Sequence, residues 1–343
     1  MTAPDTPDRS ALSAQFLHLA GWGNATRHPL AGDASARRYE RLVRGRNRAV
    51  LMDAPPGQAD DTVDFVRIGA HLNRIGLSAP KVLAQDLTCG FLLLEDLGDG
   101  LFARLAQDTP ALEPVLYTAA TDVLVHLQTR PAPPGLPNPD AGNWAMAAAF
   151  ALDWYRFAIT GSRADSALFI DTLSHLIAQY TDDPRVLILR DYHAENLLWL
   201  PRRNGLRQVG LLDFQLGQQG QPAYDLVSLL QDARRDVPVA IETAMIAHFA
   251  QATGASLAPL QTAYAVLGAQ RALRILGVFA RLCLVAGKPG YVPLIPRVWG
   301  QLQRNLAHPA LGVLAPICAG LLPAPTPENL QRIAAKCGTY PNP

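Results

Sequence analysis

Leu189-Arg190-Asp191-Tyr192-His193-Ala194-Glu195-Asn196, followed by Leu211-Leu212-Asp213-Phe214-Gln215, is the stretch on which the fold turns. Val186 to Leu189 reads as a buried strand ending at Arg190-Asp191. Leu197 to Leu200 reads as a second strand, with a hairpin turn at Arg203-Asn204-Gly205. Val209 to Leu212 returns as a third strand and delivers Asp213 at its end. A carboxylate, an amide and a second carboxylate thus sit on short apolar strands and turns. Phosphoryl transfer asks for such a set. One carboxylate orients the attacking hydroxyl, while an amide oxygen and a second carboxylate hold Mg²⁺ on the phosphates of ATP. Asp191 is the candidate catalytic base, and Asn196 and Asp213 are the candidate metal ligands.

Composition is consistent with a protein acting on a small molecule. The chain has 343 residues, enough for a large core in one two-lobed domain or two separate ones. A net charge of +1 leaves no electrostatic footprint for nucleic acid or an anionic membrane. Four cysteines (Cys89, Cys283, Cys318, Cys337) lie far apart without metal-ligand spacing, which suits a reducing compartment. Met1 to Arg9 lacks a signal-peptide core, and Tyr264 to Ala286 is interrupted by Arg271, Arg274 and Arg281. A cytoplasmic protein without a membrane span is expected.

Working outward, Ser10 to Leu19 reads as a helix. Tyr39 to Val43 and Ala49 to Met52 read as a hairpin around Arg44-Gly45-Arg46-Asn47. The small residues Gly32-Asp33-Ala34-Ser35-Ala36 before it suit a loop whose backbone N–H groups cover phosphates, with Ser35 as a contact. Thr62 to Ile75 has helical spacing, and strands follow at Val82 to Ala84 and Phe91 to Leu94. Beyond about residue 100 the chain reads mainly as helix: Leu112 to Gln128, residues 141 to 180 with a break near Gly161, Leu226 to Ala233, Val239 to Ala252, Ser256 to Ala286 and Tyr291 to Asn305. The fold class is α+β.

The catalytic stretch resembles that of the protein-kinase-like folds, specifically the aminoglycoside phosphotransferase and choline kinase group. Within that group the chain is most similar to the anomeric sugar kinases that act on N-acetylmuramate and N-acetylglucosamine in cell-wall recycling. Matching segments include Gly32-Asp33-Ala34-Ser35 with Arg37-Arg38-Tyr39, Met52 to Pro56, Phe91 to Gly98, Tyr224-Asp225 through Leu230, and Gln270-Arg271 through Leu282. The resemblance implies a small β-rich N-lobe (1–96) and a large helical C-lobe (97–343). It also implies ATP and Mg²⁺ as cofactors, a small-molecule amino sugar as partner, and a monomer. Glu95 and Leu97 would offer backbone groups to an adenine edge, and Asp225 would hydrogen-bond the catalytic-loop backbone from behind. His193 is read as a hydrogen-bonded spacer rather than a base.

Three departures stand out. Leu189 replaces a His common in this group, and Gln215 replaces the Gly of protein kinases. Val50-Leu51-Met52-Asp53 lacks the usual phosphate-binding Lys, for which Arg37 and Arg38 are the candidate substitutes. For the acceptor, the mixed charges Asp140, Asp153, Asp165, Asp171, Arg156 and Arg163 argue against a polycation pocket. They favour a sugar stacked on Trp144, Trp154 or Tyr155, with Arg156, Arg271 or Arg274 on the lactyl carboxylate. Asp153, Trp154, Tyr155, Arg156 and Arg271 form the expected substrate set. The alternatives are a kinase of another small hydroxyl compound, such as an aminoglycoside, and a non-catalytic nucleotide-binding module.

Overall fold

The computed structural model describes residues 8–30, 37–57, 62–181 and 184–341. Its first segment runs α1 (Arg9–Leu19), β1 (Thr26–Leu30), β2 (Arg38–Arg44), β3 (Asn47–Asp53), α2 (Thr62–Arg74), β4 (Val82–Asp86), β5 (Phe91–Glu95) and α3 (Phe102–Asp108). It continues with α4 (Glu113–Gln128), α5 (Ala141–Ala148), a π-helical turn (Ala151–Arg156), α6 (Phe157–Thr160), α7 (Ala167–Thr181) and β6 (Val186–Ile188). Then come β7 (Leu197–Trp199), β8 (Val209–Leu211), β9 (Gln218–Gly220), α8 (Tyr224–Leu230), α9 (Val239–Thr253) and α10 (Leu257–Leu284). The last helices are α11 (Ile295–Leu306), α12 (Leu314–Leu321) and α13 (Pro327–Ala335).

Two compact units result: residues 1–119 with 194–217, and residues 120–193 with 218–343. These units do not follow the 96/97 boundary, because α3 and the β7–β8 hairpin pack with the sheet region. The first unit is built on an antiparallel sheet in the order β1-β2-β3-β5-β4. Alternation in β2 and β3 turns Leu42, Ala49 and Leu51 inward, where they meet Phe16, Leu17, Trp22, Phe91 and Leu93. The β5 run Phe91 to Leu94 is buried throughout, as its place between β3 and β4 requires. Gly45, at φ +61°, makes the tight β2–β3 turn that pairs Arg44 with Asn47. The Gly32–Ala36 loop, with Ser35, lies outside the described residues.

β7 and β8 pair antiparallel as the sequence predicts, through a longer connection that includes a 3₁₀ turn at Gly205–Gln208. β6 pairs instead with β9 in the second unit. The strand Gln218-Gln219-Gly220 is polar and carries no apolar alternation, so nothing in its residues predicts it.

Helices dominate the second unit. α10 is 28 residues long, and Val266 to Leu273 are all buried. Among the described residues no helix is long and apolar enough to cross a membrane. Gly277 of α10 lets the chain at Phe150 approach closely, since a Cβ there would lie 2.2 Å from the Phe150 carbonyl oxygen. The π turn starts at the next residue. Gly277→Ala would gain about 1 kcal/mol of helix propensity but overpack a rigid backbone contact by up to about 3 kcal/mol. A net loss of about 1–2 kcal/mol in denaturant unfolding is expected.

Candidate active site

The paired strands β7 and β8 carry the two candidate oxygen ligands at their ends in the first unit. Asn196 precedes β7 and Asp213 follows β8 by two residues, and the Leu212 N–H donates to the Asn196 carbonyl at 3.0 Å. Asp213 has φ +55°, a left-handed conformation that a non-glycine residue adopts only when its surroundings hold it. Its Oδ1 accepts from Arg37 Nη2 at 2.8 Å and from Gln215 Nε2 at 3.0 Å. Its Oδ2 has no protein partner among the described residues. An open carboxylate oxygen, on a hairpin whose other strand follows an amide residue, offers hard oxygen donors that fit Mg²⁺ with water completing the shell.

Arg37 is buried on Asp213, whereas Arg38 starts β2 exposed. Glu95 ends β5 with its side chain on Arg203 at 2.6 Å, and its N–H donates to the Lys81 carbonyl at 2.8 Å. Two residues on, the Leu97 N–H has no acceptor among the described residues. The side chain of Leu97 reaches toward Gly210 of β8.

In the second unit, Asp191 sits on a loop fixed from behind. Asp225, in the first turn of α8, accepts from the Leu189 N–H at 2.5 Å and the Arg190 N–H at 2.9 Å. Ser228, one turn later, donates to the Arg190 carbonyl at 3.0 Å and accepts from Arg271 Nη2 at 2.8 Å. The Asp191 N–H donates to the Leu189 carbonyl at 2.9 Å across Arg190 at φ +70°, which closes a strained three-residue turn. Buried Leu189 stands where a polar His was the group's habit, and Tyr192 anchors the far side by donating to the Ala120 carbonyl at 2.9 Å.

Burial pushes the Asp225 carboxyl from 3.8 up to about 7, against the lowering effect of its two backbone N–H donors. The folded state therefore binds this proton between those values while the unfolded chain has released it. Stability from this group is complete below 3.8 and is lost as pH rises through about 7, an effect of roughly 3–5 kcal/mol. Unfolding titrations from pH 4 to 8 should show this downward slope, and Asp225→Asn should flatten it. His193 is buried, and burial lowers its pKa. The neutral ring at Nε2 accepts from Arg234 Nη1 at 3.1 Å, an assignment that leaves the proton on Nδ1.

The expected acceptor residues divide. Asp153 and Trp154 are half-buried on the π turn, with Arg281 5.7 Å from the Trp154 ring centre. Tyr155 is 0% exposed and donates to the Pro323 carbonyl at 2.7 Å, so it has no face for a sugar. Arg156 donates to the Leu321 carbonyl at 2.6 Å, and Arg271 is buried on Ser228. Tyr155 and Arg271 belong to the internal framework, a correction that follows from burial, which residue type alone does not report; Arg156 is half-buried with a hydrogen bond to the Leu321 carbonyl. Trp144 is likewise in the core, its ring 4.7 Å from that of Tyr224.

These features define a protein-kinase-like α+β phosphotransferase. The chain belongs to the phosphotransferase enzyme family, whose profile matches residues 26–266. It is 38% identical to the N-acetylmuramate/N-acetylglucosamine kinase of Caulobacter vibrioides, over 90% of this chain and 95% of that one. Among solved structures, the microcompartment-associated aminopropanol kinase matches with a TM-score of 0.60 at 15% identity, covering 89% of this chain and 98% of that one. The streptomycin-ATP-APH(2")-IIa ternary complex matches with a TM-score of 0.54 at 13% identity, covering 90% of this chain and 98% of that one.

Proposed function

We propose that the chain transfers the γ-phosphate of ATP to the anomeric hydroxyl of N-acetylmuramate, N-acetylglucosamine or both, in the recycling of peptidoglycan sugars. The supporting observation is the β7–β8 hairpin that joins the Asn196 backbone to Leu212, next to Asp213 with its open oxygen, Asn196 lying five residues after Asp191. The choice of acceptor rests on likeness to the Caulobacter kinase over nearly the whole chain.

In this reading the Asp191 carboxylate accepts a hydrogen bond from the C1 hydroxyl, aligns it for attack and takes its proton late, as the new P–O bond forms. The products are the sugar 1-phosphate and ADP. Asn196 and Asp213 would hold Mg²⁺, which neutralises phosphate charge as the γ-phosphoryl group moves. Arg37 and Gln215 fix Asp213 through one oxygen and leave the other for the metal. Arg38, on the exposed start of β2, supplies positive charge to the phosphates, and Ser35, outside the described residues, is the expected polar contact. The Glu95 carbonyl and Leu97 N–H receive the adenine edge. Asp153 and Trp154 remain as acceptor contacts, and Asp225 acts as the positioning residue of the loop. ATP supply makes the cytoplasm the expected compartment, with the protein acting as a monomer.

Incubating the protein with ATP, Mg²⁺ and each sugar, and following the product by phosphorus NMR, tests the reading. A resonance coupled to the anomeric proton is expected. Its absence with both sugars sinks the assignment, and phosphate at another position relocates the attacking hydroxyl.

A further inference from the structure

The carbonyl of Arg190 and the N–H of Asp191 belong to one peptide plane, and both of its ends are held. The N–H donates to the Leu189 carbonyl at 2.9 Å, and the carbonyl accepts from Ser228 Oγ at 3.0 Å. Arg190 stands at φ +70°, a conformation that needs such support. The direction of this plane sets where the Asp191 side chain leaves the backbone.

Ser228 lies in α8, and a helical serine readily donates to the carbonyl four residues earlier in its own helix. Here it reaches out to Arg190 instead. Arg271 Nη2 donates to Ser228 Oγ at 2.8 Å, which polarises the hydroxyl and fixes which way its proton points. Arg271 is itself aimed from behind, its Nη1 donating at 3.4 Å to the carbonyl of Gln231, the residue that closes α8.

The Gln231 and Asn305 side chains exchange two amide hydrogen bonds, at 2.9 and 2.8 Å, and so tie the end of α8 to α11. Glu242 of α9 accepts from Gln231 Nε2 at 3.5 Å, from Tyr264 of α10 at 2.8 Å and from Arg304 of α11 at 2.7 Å. Gly268 on α10 makes room for the amide pair, since a Cβ there would lie 2.5 Å from Asn305 Nδ2. Neither Gln231 nor Asn305 stands out in the sequence, because the pair joins residues 74 positions apart. Ser228, Gln231, Glu242, Tyr264, Arg271 and Asn305 are all buried. Apolar residues of similar volume often fill such space at no loss of stability. A polar path that ends on the peptide of Asp191 therefore has a positional reason to be there.

Resting on the kinase reading above, we infer that Arg271 is a positioning residue of phosphoryl transfer. Backed by the Gln231–Asn305 pair, it holds the Ser228 hydroxyl on the Arg190 carbonyl and so aims Asp191 at the acceptor hydroxyl. A carboxylate displaced by about 1 Å costs on the order of 10²-fold in rate without touching either substrate. Arg271, expected from sequence to contact the sugar, thus acts on the reaction through the loop.

Steady-state kinetics of the intact protein with MgATP and the preferred sugar test this role. Arg271→Met is expected to lower kcat by about 10- to 100-fold while both KM values stay within about threefold. Arg271→Lys should recover part of the loss, because an ammonium still donates to Ser228. Ser228→Ala should lower kcat alike, and the double variant Ser228→Ala/Arg271→Met should be no slower than the slower single variant. If Arg271→Met does not fold, Arg271→Lys and Ser228→Ala carry the comparison. A raised sugar KM at unchanged kcat overturns the inference and makes Arg271 a substrate contact. Additive losses in the double variant, or wild-type kcat in Arg271→Met, overturn it as well. Those outcomes leave the proposed reaction standing, whereas a wild-type protein that phosphorylates neither sugar removes the reaction and the positioning role together.

Discussion

Asp191→Asn is expected to lower kcat by about 10²- to 10⁴-fold while the affinity for MgATP changes little. The amide keeps the size of the carboxylate and can still accept a hydrogen bond from the acceptor hydroxyl, but it cannot take the proton. The loop should keep its shape, because Asp225 and Ser228 hold it through the backbone of residues 189 and 190. Rapid-quench single turnovers, paired with nucleotide titration, separate the chemical step from binding. A variant that turns over at the wild-type rate would remove Asp191 from the reaction.

Asp213→Ala should abolish the response of the rate to Mg²⁺, and it should also destabilise the first unit. The Arg37 side chain is only 6% exposed and donates to Asp213 at 2.8 Å. Stripping a carboxylate from a guanidinium that dry costs up to about 3 kcal/mol, toward the low end for broken pairs because Asp213 itself is 37% exposed. The double variant Arg37→Met/Asp213→Ala should regain most of the stability and none of the activity. Urea unfolding and a Mg²⁺ titration of the rate distinguish the two losses. Should the single variant keep both its stability and its metal response, the pair has neither role.

What could be read from sequence follows from which interactions are local. Asp191, Asn196 and Asp213 stood out because apolar strands frame them at fixed offsets, and four of the five sheet strands were legible from apolar or alternating runs, whereas β1, exposed along most of its length, was not. The Arg37–Asp213 contact joins residues 176 positions apart and leaves no trace in either neighbourhood. It turns Arg37 from an expected phosphate contact into the support of a candidate metal ligand. β9 was hidden for the opposite reason. Its pairing with β6 is a backbone matter, and Gln218-Gln219-Gly220 carries no pattern of its own. The acceptor residues were the least legible. An aromatic or an arginine in a helical region does not say which way it faces, and Tyr155 and Arg271 face inward while Arg156 is half-buried.

The interrupted sequence of the first unit bears on how the protein is made. Residues 1–119 leave the ribosome long before residues 194–217, which complete the same unit. At roughly 5–20 residues per second, translation keeps the early segment waiting for seconds. During that wait Phe65 lacks the Phe214 ring that will stack on it at 4.8 Å, and Gly100 lacks the Trp199 N–H that its carbonyl accepts at 2.7 Å. The nascent sheet therefore presents uncovered apolar surface until the hairpin arrives. Truncation after residue 119 should yield a sticky, chaperone-dependent fragment, whereas synonymous codons that hasten translation of the intervening segment should raise the soluble yield of the full chain.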